Sequence, residues 1–162
     1  MGRRNVQTAY GELDLATYVD KTTQLTHLAL IKGDIRPDAE TLVRVHEPLS
    51  AMDFLEQAHY PHSTSVHEAL TKISSASAGV LVLMHHGETA QDLLERAVMD
   101  ESEHHAARWD PRSYGIGAQI LRDLNVGKMC LLATPRKLPS MTGFGLEVVG
   151  YCQAKESKRL PA

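Results

Sequence analysis

Cysteine is scarce in this sequence, with two residues, Cys130 and Cys152, among 162. Both lie in apolar segments without metal-ligand spacing, which excludes a cysteine knuckle and suits a reducing cytoplasm. Aromatic residues make up only 5% of the chain, beside 43% hydrophobic and 23% charged residues. That mixture is ordinary for a globular protein and excludes disorder, collagen and coiled coil. No apolar run approaches the roughly 18 residues of a membrane span. The N-terminal Met1-Gly-Arg-Arg-Asn-Val6 has no apolar signal core behind its arginines. Neither charge dominates: the net charge of −3 gives no general pull toward nucleic acid or acidic membranes. Repeats and low-complexity linkers are absent, apart from a thin Ser/Ala stretch at 74–78. What is present is one domain's worth of chain, able to bury about 68–70% of its unfolded surface without staples.

Periodicity supplies the elements. Residues 6–19 alternate loosely and read as a strand pair turning near Gly11. Residues 26–32 and 41–46 alternate apolar with polar, so each has one wet and one buried face. Gly33-Asp-Ile-Arg-Pro-Asp38 between them supplies turn residues, which predicts a hairpin. Helical period follows: Ser50 is a cap for 51–58, and Ser63 or Thr64 for 66–76, where Val66, Ala69, Leu70 and Ile73 form one stripe. The unbroken apolar run 79–84 reads as a strand buried on both faces. A polar helix over 89–107 comes next, then a helix over 114–124 with Ile116, Ile120, Leu121 and Leu124 inward. Strands at 128–133 and 145–151 complete an α/β domain, a mixed sheet with flanking helices.

The segment Asp110-Pro-Arg-Ser-Tyr-Gly-Ile-Gly-Ala-Gln-Ile-Leu-Arg-Asp-Leu124 closely resembles the Asp-x-Arg-x-Tyr-Gly-x-Gly-Ala-Gln-Ile-Leu motif of GTP cyclohydrolase II, a riboflavin-biosynthesis family. Tyr10-Gly-Glu, His27-Leu-Ala-Leu-Ile-Lys-Gly-Asp34, Leu42-Val-Arg-Val-His46 and Gly143-Phe-Gly-Leu-Glu-Val-Val149 follow the same family in the same order. Together they cover residues 9–151. The resemblance implies a boundary scheme: 1–8 as the remnant of a linker, 9–151 as the domain and 152–162 as a flexible tail. It also implies an activity, conversion of GTP to formate, pyrophosphate and a diaminopyrimidine product. In the family a zinc on three cysteines activates water, an arginine attacks the α-phosphate and an aspartate accepts a proton. Zinc lowers the pKa of its water from 15.7 toward about 7, without which neutral water must open an aromatic ring.

The chain departs from that pattern where the chemistry is done. The family's Cys-x10-Cys-x-Cys positions hold Leu49, Tyr60 and His62. Leu49 has no donor atom, a phenol is a poor zinc ligand, and one imidazole cannot replace three or four ligands. No zinc or other cofactor is therefore expected. Histidines could in principle rebuild a site from His59, His62 and His67, with His85 and His86 nearby, although scattered surface histidines are the blander reading. The family's Glu-Gly-Arg-Gly-Ile-Gly-Leu loop is here Glu88-Thr-Ala-Gln-Asp-Leu-Leu94: Glu88 remains, the glycines are gone, and Ala90 replaces the arginine. Without those glycines backbone amides cannot approach a ligand as closely. The stretch from Glu88 to Asp110 is also shorter than the family's. The family's Leu-Leu-Thr-Asn-Asn-Pro-x-Lys becomes Leu131-Leu-Ala-Thr-Pro-Arg-Lys137.

Asp110 and Arg112 match the family's proton acceptor and nucleophile, and Tyr114 keeps its spacing. Their alternative is a plain helix start, with Asp110 favoured by the helix dipole and Arg112 paired to a carboxylate. Arg44, His46, Glu88, Tyr114 and Lys137 are the matching substrate-binding positions, though Arg44 and His46 could be ordinary outward strand residues and Arg136 and Lys137 ordinary solvated cations. In many bacteria the family's domain is fused behind 3,4-dihydroxy-2-butanone 4-phosphate synthase, and the abrupt start at Met1 suits the end of such a fusion's linker. The resemblance thus implies a cytoplasmic homodimeric domain without cyclohydrolase activity, kept for assembly or regulation of that synthase in the same parent chain. An active or pyrophosphate-releasing enzyme, and a nucleotide or flavin sensor binding weakly, are the alternatives. Neither nucleic acid nor membrane is expected as a partner.

Overall fold

The computed structural model describes residues 2–47, 50–54, 64–98, 111–133 and 141–152. The strands are β1 (Gly2–Thr8), β2 (Gly11–Val19), β3 (Thr26–Lys32), β4 (Glu40–His46), β5 (Gly79–Leu83), β6 (Lys128–Leu131) and β7 (Glu147–Tyr151); the helices are α1 (Val66–Ser75), α2 (Ala90–Val98) and α3 (Pro111–Asp123). They form one seven-stranded sheet in the order β1-β2-β3-β5-β4-β6-β7. The first three strands are an antiparallel meander, β5 pairs antiparallel with β3, and β5, β4, β6 and β7 run parallel to their neighbours. The α/β class with a mixed sheet and flanking helices is as the patterning requires.

The position of β5 explains its composition. All five of its residues are buried, because Val80 and Val82 face a core shared with Ala118, Ile120, Leu121 and Leu124 of α3, while Leu81 and Leu83 face a second core shared with Val66, Ala69, Leu70 and Ile73 of α1. The sheet is therefore covered on both sides, and a central strand between two helical layers has no polar face to keep. Ser65 caps α1 through a capping box with Glu68: the Glu68 N–H donates to Ser65 Oγ and the Ser65 N–H to Glu68 Oε2. Ser65-x-x-Glu68 is the sequence signature of that cap, so the start assigned to Ser63 or Thr64 moves to Ser65.

Four other expectations change. Residues 26–46 are not a hairpin: β5 lies between β3 and β4 and pairs with both. The apolar β5 needs the centre of the sheet, so the chain leaves β4, crosses through α1 and returns parallel to it, displacing the local pairing. As a second change, β4 has no wet face, since Thr41, Arg44 and His46 are all buried. Third, the strand β1 occupies residues expected as a linker; it pairs with β2 along its whole length, its Gly2 N–H donates to Thr17 Oγ1, and Val6 packs on the α1 core. Finally, Cys130 and Cys152 are bonded to each other, where free thiols were expected. The parallel pairing of β6 with β7 brings them together, and the Cys152 N–H donates to Leu131 O at 2.7 Å, so Cys152 belongs to the domain rather than to a tail. The helix expected over 51–58 is a 3-10 turn at Ala51–Phe54 in its described part, and the helix expected over 89–107 is Ala90–Val98 in its own. The tail 153–162 lies outside the described residues, and among these no helix is long and apolar enough to cross a membrane.

Candidate functional site

In a sheet of this kind ligands bind beyond the carboxyl ends of the parallel strands. Here that edge gathers His46 and the segment after β4, the His85–Glu88 segment after β5, the end of β6, and the start of β3, because β3 runs antiparallel to β5 and pairs Leu28 with Leu83. A connected polar network fills it. His46 Nε2 lies 2.9 Å from Asp53 Oδ2, the Ser50 N–H donates to the same oxygen at 2.7 Å, and Arg96 donates to Asp53 Oδ1 at 2.6 Å. Both carboxylate oxygens accept, so His46 Nε2 carries the proton. His46 and Asp53 are 1% and 3% exposed. A carboxylate so deeply buried is tolerable only because donors surround it. Glu88 extends the network by accepting from the Ser50 hydroxyl and from the Ala51 N–H at 3.2 Å. The turn at Ala51–Phe54 is thus held from both strand ends.

Arg44 points into the fold, where it is 6% exposed and donates to Leu132 O at 3.0 Å. It ties β4 to the end of β6 by satisfying a carbonyl just beyond the ladder. His27, 1% exposed, accepts the His85 N–H at its Nδ1 at 3.1 Å, which leaves the proton on Nε2, and that buried nitrogen has no hydrogen-bond partner among the described residues. Burial, and after it the neighbouring His86, hold its pKa below 6.5, so the ring is neutral. His86 pairs with Glu47 at 3.3 Å.

The expected site residues divide accordingly. His46, Glu88 and Arg44 stand at this edge, engaged with other groups of the fold rather than on an outer face. Arg112 is exposed in the first turn of α3, and its charge, after the Thr23 hydroxyl and the Thr22 amide, helps hold the Asp20 carboxyl below its ordinary range. Tyr114 is partly buried, and burial followed by the nearby Tyr151 raises its pKa. Asp110, Arg136 and Lys137 lie outside the described residues, as do Leu49, His59, Tyr60 and His62. His67 is committed elsewhere: its Nδ1 meets the Tyr10 hydroxyl at 2.5 Å and its Nε2 the Phe54 carbonyl at 3.0 Å. Asp53 and Arg96, the centre of the network, were not among the sequence candidates. A carboxylate seven residues after His46, in a short apolar turn, was the available signal for Asp53; Arg96 offered none beyond being a cation on a polar helix.

The sequence model of the GTP cyclohydrolase II family matches residues 1–153. The chain belongs to that family. A protein of Neisseria meningitidis serogroup A named 3,4-dihydroxy-2-butanone 4-phosphate synthase is 49% identical over 96% of this chain and 42% of its own length. Riboflavin biosynthesis protein RibBA of Chlorobium phaeovibrioides is 37% identical over 90% of this chain and 38% of its own. Among solved structures, RibBX of A. baumannii, a two-domain 3,4-dihydroxy-2-butanone 4-phosphate synthase, superposes with a TM-score of 0.67 at 32% identity, over 96% of this chain and 40% of that one. The chain thus spans about two-fifths of the length of these relatives. It is a GTP cyclohydrolase II-like domain, and the Chlorobium relative is named for riboflavin biosynthesis.

The positions that the resemblance matches to the family's three thiolates, Leu49, Tyr60 and His62, offer a leucine, a phenol and one imidazole, which is not a zinc donor set. Among the described residues, the strand-end edge holds no group of three His, Cys, Asp or Glu side chains with converging ligand atoms.

Proposed function

We propose that this domain has no cyclohydrolase activity and serves the assembly or regulation of a 3,4-dihydroxy-2-butanone 4-phosphate synthase domain in the same parent chain. The observation that carries the reading is the closed network His46–Asp53–Arg96 with Ser50 and Glu88. Groups that a catalytic edge would turn toward substrate instead bind one another and brace two loops. The replaced thiolate positions and the missing glycine loop support the same reading, as do the Neisseria and A. baumannii relatives, which carry the synthase's name. Self-association through a homodimer belongs to the proposal, since a domain retained for assembly needs a surface to assemble on. Of the matched catalytic pair, Arg112 alone can be placed, and an exposed guanidinium binds phosphate by charge without reading a base. Nucleotide affinity of about 0.1–1 mM, falling steeply with salt, follows for GTP and ATP alike.

The deciding assay incubates the chain with GTP and zinc and measures formate and pyrophosphate. The expected result is neither product, also after Leu49→Cys, Tyr60→Cys and His62→Cys together, because the glycine loop is absent as well. Formate release by the unmodified chain overturns the reading. Micromolar binding of GTP with clear preference over ATP replaces it with a guanine-nucleotide sensor.

A further inference from the structure

The group of potential metal ligands with converging atoms among the described residues lies away from the strand-end edge. It comprises Glu40, Cys130 and Cys152, whose carboxylate oxygen and two sulfurs all lie within 4.8 Å of one another. Glu40 opens β4, two residues before Leu42, so both point to the sheet face that carries α1. Leu42 is the ladder partner of Cys130, and Leu42 and Cys152 both pack on the α1-side core. Two strands, β4 and β6, and the residue that follows β7 therefore each deliver one ligand to one patch of one face, beside the helix that covers the rest of it.

We propose that, in the reduced protein, Cys130, Cys152 and Glu40 bind one thiophilic divalent cation of the zinc class, with water in the fourth position. The proposal stands apart from the reading of the strand-end edge. Two thiolates and a carboxylate are a zinc-type donor set, and three protein ligands leave a coordination position open. The sulfurs already sit on a rigid frame: the two Cα atoms are 5.8 Å apart, held by the β6–β7 ladder and by the bond from the Cys152 amide to Leu131 O. Burial of Cys130 at 6% exposure shields its metal bond, whereas the exposed Glu40 provides the entrance from solvent. The bound ion with three anionic ligands would carry one net negative charge, and Lys128, across the ladder from Glu40, is placed to offset it. Paired cysteines in a reducing compartment are more often metal-binding or redox-responsive than structural bridges. Metal and disulfide exclude each other here, since both use the same two sulfurs.

Opening the site takes two electrons. With a phosphine as reductant, the phosphine and one water become the phosphine oxide, and the water's two hydrogens complete the two thiols. Each thiol releases its proton to solvent as it binds the metal. The test uses the 162-residue chain, phosphine-reduced and handled without oxygen, titrated with Co2+ and then with Zn2+ against a chromophoric chelator. One equivalent of Co2+ with sulfur-to-metal charge-transfer absorption, displaced by Zn2+, is expected from the reduced chain and none from the oxidised chain. Glu40→Gln should weaken binding by more than the 10–100-fold typical of outer-shell partners. Cys152→Ser should abolish the charge-transfer band while its circular dichroism keeps the wild-type spectrum, and Glu40→Gln, which leaves both cysteines in place, gives the second reading should Cys152→Ser fail to fold. Absence of stoichiometric binding by the reduced wild type overturns the proposal. So does binding that persists unchanged in the oxidised chain, which would place the ion on surface histidines.

Discussion

Replacing Asp53 by alanine tests whether the strand-end network is a support of the fold. The carboxylate accepts from His46 Nε2, the Ser50 amide and Arg96, and His46 stays buried when it is gone. Removing one member of a buried charged pair costs about 3–5 kcal/mol, because the remaining groups lose their partner without regaining water. Arg96 is 14% exposed at its side chain and can turn partly outward, which places the loss toward the lower half of that range. In a domain of this size each kcal/mol moves the melting temperature by about 2–4 °C, so Asp53→Ala should melt about 6–16 °C below wild type. Asp53→Asn keeps the shape and one acceptor but turns an amide N–H2 toward Arg96 or toward the pair of donors. Its cost should be about 1–3 kcal/mol. Adding Arg96→Met to Asp53→Asn should recover part of that loss, which a double-mutant cycle reads from urea titrations. A loss below about 1 kcal/mol for Asp53→Ala, or strict additivity of the Asn and Met changes, would refute the network as a cohesive unit.

Breaking the Cys130–Cys152 bond with Cys152→Ser, or by reduction in the absence of metal, should lower stability by about 3 kcal/mol, the loop-closure entropy for a separation of 22 residues, and denaturant midpoints with and without reductant measure it. His27, neutral in the fold and ordinary when unfolded, makes the unfolded state the better proton binder: stability is full above 6.5 and falls as pH drops below it, by at most about 1.4 kcal/mol per pH unit. His27→Asn, which keeps an acceptor for the His85 amide but does not titrate, should flatten that part of a melting-temperature profile against pH. Gly33→Ala should cost about 2–5 kcal/mol in thermal melts, since Gly33 has φ +75° and an added Cβ would sit 1.9 Å from Ser77 O.

Much of the fold was legible because periodicity reports burial directly. The α1 stripe Val66, Ala69, Leu70 and Ile73 and the unbroken run of β5 name their own faces. Strand pairing was less legible, since the turn residues 33–38 state only that the chain bends, while the partner of β3 is chosen by which strand most needs the centre. Arg44 and His46 were misplaced for a related reason. A polar residue in an alternating strand suggests solvent, and the partners that make burial tolerable, Leu132 O and Asp53, come from other segments. The disulfide was hidden because the separation of Cys130 from Cys152 carries no geometry until β6 and β7 are known to be parallel neighbours. The candidate site was therefore half legible: the family motifs pointed to His46 and Glu88, but the pairing that occupies them is a property of three-dimensional packing.

The insertion of β5 between β3 and β4 also sets an order of events during synthesis. The meander β1–β3 can close as soon as Lys32 has emerged, but both ladder neighbours of β4 come later, at Gly79 and Lys128. At about 5–20 residues per second, roughly 4–16 s separate the end of β4 from the start of β6. Until β5 emerges from Gly79 the segment Glu40–His46 has both backbone edges open, and until β6 emerges one of them, with three apolar side chains, Leu42, Val43 and Val45, ready to pair with another nascent chain. Arg44 stands in the middle of it. The guanidinium that ends up buried against Leu132 O is, until then, a charge on an unpaired strand, and an inward-pointing charge is one of the devices by which strands refuse the wrong neighbour.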